Sequence, residues 1–574
     1  MPEKLEKEKH QGRYMAGLDG LRALAVLAVM AYHLHFKWAP GGLLGVGVFF
    51  VLSGYLITDI LASQWERDGK LNLRDFWMRR VRRLLPAMLF LVLVVVLWVL
   101  FVPGSQPSSL AGDVWASVLY INNWWLVFHH VSYFESFGPP SPLGHLWSLA
   151  VEEQFYLLWP FLVALCVKFV PSRAWRTALV LLGAVASAVA MALLYEPGVD
   201  PSRVYYGTDT RAFALLIGAA LAWVWPSAKL QESLAKKARV SLDLAGGAGL
   251  LVILLMVWLT NQYQTFLYRG GFVLLSVATA MVVAMLAHPA SRLANVLGAQ
   301  PLRWLGVRSY GMYLWHYPII VLTSPAVDTG GLDVWRSLLQ VALTIGIAAL
   351  SYEFVEKPIR YRTASYNKIV VAACTVVALG VSGGAMALPA PQIPTHAVPV
   401  TVTPEPSATT SSASPTCHGV TAMGDSVMLD AEPFLKEFLP GIVVDAQVGR
   451  QMVQLPDVVE RLKSEGKLGS CVMIQTGTNG PFTQDQLVAL LDSLGPDRQI
   501  VLVNTRVPRP WESVVNSTLQ EVAASYPHTT LVDWYGNSAG KDSYFYPDGV
   551  HLNPEGAQVY ASLLSVEVTT DKER

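Results

Sequence analysis

The chain has 574 residues, too many for one ordinary core, and its 42 basic and 42 acidic residues leave no formal net charge. Hydrophobic residues make up 53% and charged residues 15%, with a mean hydropathy of +0.39. That balance excludes an ordinary soluble protein, points to the bilayer, and offers no clustered basic face for a nucleic-acid partner.

Residues 1–17 begin with the polar run MPEKLEKEKH and carry no cleavable-signal pattern, so they read as a cytoplasmic tail. Apolar stretches then fill residues 18–388 almost continuously. We read spans near 18–37, 43–62, 84–102, 146–168, 176–195, 209–226, 244–260, 271–288, 309–324, 335–354 and 367–388, which makes about eleven transmembrane helices. A further stretch, 113–130, carries Asn122, Asn123, His129 and His130 and is weaker. Loop charge arbitrates, because Lys and Arg mark the cytoplasmic side. Basic residues crowd the N-terminus, the 63–83 loop, and segments 168–176, 227–243, 289–308 and 356–368. All six can share one side only if 113–130 does not cross, so it is expected to be re-entrant or interfacial. The N-terminus is then cytoplasmic and the C-terminal part extracytoplasmic, in a multi-pass protein of the plasma membrane surrounded by its lipid.

Residues 389–416 are rich in Pro, Ser and Thr and read as an extended tether. In 417–574, short β-type runs (VTAM, VMIQT, IVLVN, TLVDW) alternate with helix-like segments 454–466, 483–494 and 512–525. That alternation predicts a three-layer α/β domain with a parallel sheet. Cys417 and Cys471 both fall there. Outside the cytoplasm a disulfide between them is expected, with two free thiols as the alternative.

Several ionisable groups interrupt the apolar stretches. Arg22 and His33 are eleven residues apart on the first span. They therefore face one way, roughly 16 Å apart along the axis. Asp19 can pair with Arg22. Ionisable groups inside a bilayer usually face a bundle interior or a wet cavity. Here they read as a base or acyl relay (His33) and a donor guide (Arg22), against a snorkelling Arg and an interfacial His. In FWMRRVRRLLPA, the i,i+3 pairs Arg79/Arg82 and Arg80/Arg83 can hold phosphates, or serve as positive-inside anchors. In GHLWSLAVEEQFY, His145, Ser148 and Glu152 fall on one helix face, which favours Glu152 over Glu153 as the cavity-facing acid. YYGTDTRAF sets Tyr205, Tyr206, Asp209 and Arg211 at an outer helix mouth. The plain alternative there is tyrosine anchoring with an Asp–Arg pair.

In the C-terminal part, VTAMGDSVM places Ser426 just after a β-type run, where a serine is exposed beside free backbone N–H groups. VGRQ offers Gly449, IQTGTNG offers Asn479, and YPDGVHLNPEG places Asp548 three residues before His551. His551 would take the serine proton, Asp548 would hold the imidazole, and Ser426 N–H, Gly449 N–H and the Asn479 amide would bind the oxyanion.

Arg22 with His33, RRVRRLLPA, SLAVEEQFY, TDTRAF and SYGMYLWHYP followed by EKPIR resemble, in that order, the acyltransferase-3 membrane family over roughly residues 15–365. We therefore take 18–366 as that domain and 367–388 as a separate eleventh helix. The resemblance implies O-acylation of carbohydrate with acetyl-CoA as donor substrate. It implies His33 as the essential histidine, with Arg22, Arg80, Arg83 and Glu152 in support. Tyr205 or Tyr206 is a further candidate acyl carrier. Residues 418–565 resemble the SGNH hydrolase family through Ser426, Gly449, Asn479 and His551, although glycine follows Asn479 where many members have an acid. Chains fusing the two resemble surface-glycan O-acetyltransferases that act on peptidoglycan or on lipopolysaccharide. The expectation is an acyltransferase that carries acetyl across the membrane to a surface-glycan acceptor, with no metal and no bound cofactor. A membrane-anchored carbohydrate esterase, or a transporter with a glycan-binding module, are the alternatives.

Overall fold

The computed structural model describes residues 14–101, 110–129, 131–134, 141–196, 200–262, 264–324, 333–360, 419–509, 511–546 and 549–569. The expected eleventh helix at 367–388, the tether at 389–416, Cys417 and Asp548 lie outside the described residues. Among those described, eight helices are long and apolar enough to cross a membrane: Gly42–Asp68, Leu73–Phe101, Gly144–Phe169, Arg173–Leu194, Ser202–Lys229, Lys236–Leu259, Leu267–Ala287 and Val334–Arg360. Two further helices that the sequence reads as spans, Ala16–His33 with 18 residues and the charged Asp19 and Arg22, and Ser309–Thr323 with 15 residues, are packed inside the same bundle.

One expectation shifts. The basic 63–83 loop is almost entirely helical, since one helix runs to Asp68 and the next starts at Leu73. Gly69, at φ +62°, ends the first helix, and the Asn72 side chain accepts the Asp75 N–H to start the second. The arginines therefore stand on the first turns of a continuous helix. The weak stretch 113–130 forms two short helices, Leu110–Val118 and Asn122–Phe128, neither long enough to cross. Buried Asn123 donates to Tyr206 O and Thr208 Oγ1, which ties this element into the bundle.

Close packing without a hydrophobic driving force needs small residues at helix contacts. A Cβ at Gly54 would stand 1.8 Å from Leu215 O, and one at Gly218 would stand 2.1 Å from Val51 O. Helices Gly45–Asp68 and Thr208–Val224 thus meet backbone to backbone.

In the C-terminal part, five parallel strands stand in the order β2-β1-β3-β4-β5. They are β1 Val420–Gly424, β2 Val443–Ala446, β3 Cys471–Gln475, β4 Gln499–Val503 and β5 Thr529–Val532. Side chains alternate across the sheet. Met473 and Val501 pack with helices Ser426–Phe438 and Pro554–Thr569 on one face. Val472, Ile474 and Leu502 pack with Leu455–Ser464, Gln484–Leu494 and Glu512–Ser525 on the other. This is the expected three-layer α/β architecture. Cys471 is disulfide-bonded.

Candidate active site

In open α/β sheets, ligands bind beyond the carboxyl ends of the strands where the strand order reverses. Here that place is the end of β1, which lies between β2 and β3. Asp425 follows β1 directly. Its N–H donates to Gln475 O at 3.2 Å, and its Oδ1 accepts the Val427 N–H at 3.1 Å, capping the next helix. Ser426 is the first residue of that helix, 2% exposed, with no hydrogen-bond partner on Oγ among the described residues. Burial pushes the Asp425 carboxyl up to about 6, against weaker opposition from the Val427 N–H, Thr478, Gln475 and the charge of His551.

Gly449 follows β2 at φ +72°, a conformation in which L side chains are strained. Its loop is held to β1 by the Gln447 N–H on Gly424 O and by Arg450. The Arg450 guanidinium donates to Gly424 O and Asp445 O and pairs with the Asp445 carboxylate at 2.7 Å. Asn479 is buried, and both atoms of its amide lack partners among the described residues. Buried polar groups are nearly always satisfied, so unpaired ones crowded beyond a strand end mark a site built for something else to bind. The His551 segment is fastened to the serine helix by the Leu552 N–H on Asp430 Oδ2 at 2.9 Å and folded back by the Tyr546 N–H on His551 O.

The second cluster lies inside the helical bundle. His33 ends helix Ala16–His33. Its Nδ1 lies 3.0 Å from Val29 O and 3.2 Å from His316 Nε2, and its Nε2 lies 3.1 Å from Tyr133 Oη. The Tyr133 ring packs 4.8 Å from that of Tyr205. Tyr205 Oη donates to Leu43 O at 3.4 Å, while the Tyr206 ring stands 5.9 Å from that of Tyr133. Among the described residues no group of His, Cys, Asp and Glu has the arrangement of a metal site.

Glu152 belongs to a different neighbourhood from His33. It accepts from Ser53 Oγ at 2.9 Å and from Tyr156 Oη at 3.3 Å. Arg22 and Arg83 lie within electrostatic reach of it, and Arg22, Arg80 and Arg360 within reach of Arg83. The Arg80 guanidinium stacks over the rings of Phe76 and Tyr156. Arg22 pairs with Asp19 at 3.7 Å. The structure thus gathers Arg22, Arg80, Arg83 and Glu152 at one place and His33 at another. His145, expected to share a helix face with Glu152, sits in the 3₁₀ turn Gly144–Leu146 and stacks near His316 and Tyr317 instead. The Asp–Arg pair of TDTRAF is also different from the expected one. Asp209 pairs with Arg203 at 2.8 Å. Arg211 is fully buried against Phe50, Tyr205 and Phe272, with no hydrogen-bond partner on its guanidinium among the described residues.

Three residues that sequence reasoning passed over are prominent here. Tyr133 lies in a loop with no local signal. Arg450 follows the glycine of VGRQ and looks like any surface arginine. His316 did have a signal, being an ionisable residue in an apolar stretch.

The profile of the family described as "Acyltransferase domain" (Acyl_transf_3) matches residues 15–386. Peptidoglycan O-acetyltransferase OatA of Listeria monocytogenes is 44% identical over 97% of this chain and 98% of its own. Putative peptidoglycan O-acetyltransferase YrhL of Bacillus subtilis is 42% identical over 97% and 99%. O-acetyltransferase OatA of Staphylococcus aureus is 37% identical over 98% and 97%. The solved C-terminal catalytic domain of Streptococcus pneumoniae peptidoglycan O-acetyltransferase A covers 28% of this chain and 96% of its own, at 23% identity and a TM-score of 0.26, too low for any argument to rest on it. With a family match over most of its length and relatives similar from end to end, the chain belongs to the acyltransferase-3 family and is an O-acyltransferase.

Proposed function

We propose that this chain takes acetyl from acetyl-CoA at the cytoplasmic face, passes it through the helical bundle, and delivers it by way of Ser426 to a hydroxyl of peptidoglycan outside the cell. The observation that carries the reading is the Tyr133 hydroxyl on His33 Nε2, 3.1 Å apart inside the bundle. An imidazole bonded to a hydroxyl makes a nucleophile. As the bond from Tyr133 Oη to the acetyl carbonyl carbon forms, the proton moves to His33 Nε2. The carbon–sulfur bond breaks, and the leaving thiolate takes that proton back as the thiol. Arg22, Arg80 and Arg83 hold the phosphates of the donor, and its slender uncharged arm reaches toward His33. Ser426 Oγ then attacks the tyrosyl ester and gives its proton to His551, with the Gly449 and Asn479 donors on the oxyanion; the bond from Tyr133 Oη to the acetyl carbon breaks, and the leaving tyrosine oxygen takes that proton from His551. A sugar hydroxyl then attacks the acetyl-serine, its proton passes to His551, and Ser426 Oγ leaves with that proton as the bond to the acetyl carbon breaks. The names of the relatives support peptidoglycan as acceptor. A membrane-anchored esterase would leave the His33 cluster without a task.

The test is Ser426→Ala in the full chain. Acetylation of wall glycan, read by mass spectrometry, disappears while the protein stays in the membrane and still takes label from acetyl-CoA. Undiminished glycan acetylation in this variant refutes the relay.

A further inference from the structure

His316 is fully buried in helix Ser309–Thr323, and no step of the chemistry above employs it. Its two nitrogens have definite partners. Nδ1 lies 2.6 Å from Tyr313 O. A carbonyl oxygen only accepts, so Nδ1 carries the hydrogen and Nε2 of the neutral ring is bare. That bare Nε2 faces His33 Nδ1 at 3.2 Å. His33 Nδ1 also faces a carbonyl, Val29 O at 3.0 Å, so it too carries its hydrogen there, shared between Val29 O and His316 Nε2. On the His33 ring, Nε2 is then the nitrogen left without a hydrogen, and it is the atom that meets the Tyr133 hydroxyl. The three hydrogen bonds run in one sense, from Tyr133 Oη–H to His33 Nε2, from His33 Nδ1–H to His316 Nε2, and from His316 Nδ1–H to Tyr313 O.

We propose that His316 is the positioning residue of the His33–Tyr133 pair: it holds His33 in the tautomer and orientation that leave Nε2 bare toward Tyr133, and it steadies the imidazolium formed when Tyr133 gives up its proton. This rests on the relay reading above. Val29 O alone does less. It is already the i−4 acceptor of the helix that ends at His33, whereas His316 Nε2 has no other hydrogen-bond partner among the described residues. The usual orienter of a catalytic imidazole is a carboxylate. Here the acid that was expected to support His33, Glu152, is bound to Ser53 and Tyr156. A neutral imidazole serves the same geometric purpose without burying an unpaired negative charge among the rings of Tyr32, Tyr133 and Tyr317. The other histidine of the cluster, His145, is turned elsewhere, with Nε2 against Leu314 O at 3.1 Å. No bond is made or broken at His316. It accepts a hydrogen bond that strengthens when His33 is charged.

The experiment uses the full chain carrying Ser426→Ala, in detergent, with radiolabelled acetyl-CoA. The readout is the rate at which acetyl is retained on the protein. His316→Leu lowers the maximal rate by roughly a hundredfold, the scale of a misaligned general base, while the KM for acetyl-CoA stays within about twofold, because the donor arginines lie elsewhere. His316→Gln, whose side-chain oxygen can accept from His33 Nδ1, recovers at least about tenfold over His316→Leu. A purely packing role would treat the two alike. If His316→Leu labels at the wild-type rate, or if His316→Gln is as slow as His316→Leu in protein of native elution volume, the proposal is overturned. Should His316→Leu elute as aggregate, His316→Met takes its place beside His316→Gln, and a glutamine variant no faster than the methionine one overturns the proposal in the same way. His33→Ala and Tyr133→Phe are run beside them. Full labelling in either overturns the relay reading itself, which separates that failure from a failure of His316 alone.

Discussion

Arg450 gives the sharpest quantitative test of how the outer site is held. Its guanidinium is 6% exposed and pairs with an Asp445 carboxylate that is 14% exposed. Breaking a buried pair from one side typically costs about 3–5 kcal/mol, because the survivor is left uncompensated. Asp445 keeps a second partner, Arg461 at 2.6 Å, which is 48% exposed. The charge loss is therefore partly absorbed, and Arg450→Met is expected to cost about 2–3 kcal/mol, including the bonds to Gly424 O and Asp445 O. The companion Arg461→Met removes only an exposed contact and costs at most about 1 kcal/mol. Both cores of the α/β part are built from its own residues, so residues 417–574 can be studied alone. Urea unfolding, followed through the buried Trp511 and Trp534, gives the stability of each variant. If Gly449 supplies an oxyanion donor as proposed, release of its loop removes that donor, and hydrolysis of a small activated ester falls by about 10²–10³ in Arg450→Met. A midpoint within about 0.5 kcal/mol of wild type, together with full ester hydrolysis, refutes the idea that this arginine ties the oxyanion loop to the sheet.

Asp425 should make the same domain lose stability as pH rises. Its folded carboxyl sits at about 6 against an ordinary 3.8, so the folded state keeps a proton that the unfolded chain releases. Stability then falls between roughly pH 4 and pH 6 by about 3 kcal/mol, and Asp425→Asn flattens that slope while keeping the helix cap; an unchanged slope in urea titrations of the variant refutes it. In the helical part, Gly218→Leu drives a side chain into Val51 O. Overpacking usually costs about 1–3 kcal/mol, and backbone obstruction lies at or above the upper end, so detergent-solubilised protein should aggregate at lower temperature; a wild-type midpoint would show that the helices are not in backbone contact.

Much of the architecture was readable from pattern alone. The α/β part declared itself because short β-type runs such as VMIQT alternate with helical segments; that run becomes β3, buried along its whole length between β1 and β4. The placement of Ser426, Gly449 and Asn479 just beyond strands was readable because each stands in a turn that follows a β-type run. The bundle was harder. Hydropathy finds apolar length but not the helix interior, so the arginine-bearing 63–83 segment looked like a loop. Spacing on one helix predicted that His145 and Glu152 share a face, yet a 3₁₀ turn at Gly144–Leu146 rotates His145 away. Partners supplied by other elements were invisible. Nothing in the local sequence links Tyr133 to His33, or Arg203 rather than Arg211 to Asp209. Side-chain pairing across a bundle is a tertiary fact.

On the proposed relay, the link between Leu552 N–H and Asp430 has a bearing on how a carrier can serve two stations. It lies wholly inside the α/β part and runs from the segment of His551, the proposed base, to the helix that Ser426 begins, one turn beyond that serine. Reorientation of the domain as a body leaves it untouched. The His551 segment and the Ser426 helix therefore ride together, and the alignment between them owes nothing to whatever surface the domain happens to be facing. A catalyst assembled in this way is portable: it can be loaded at one address and discharged at another without being rebuilt in transit.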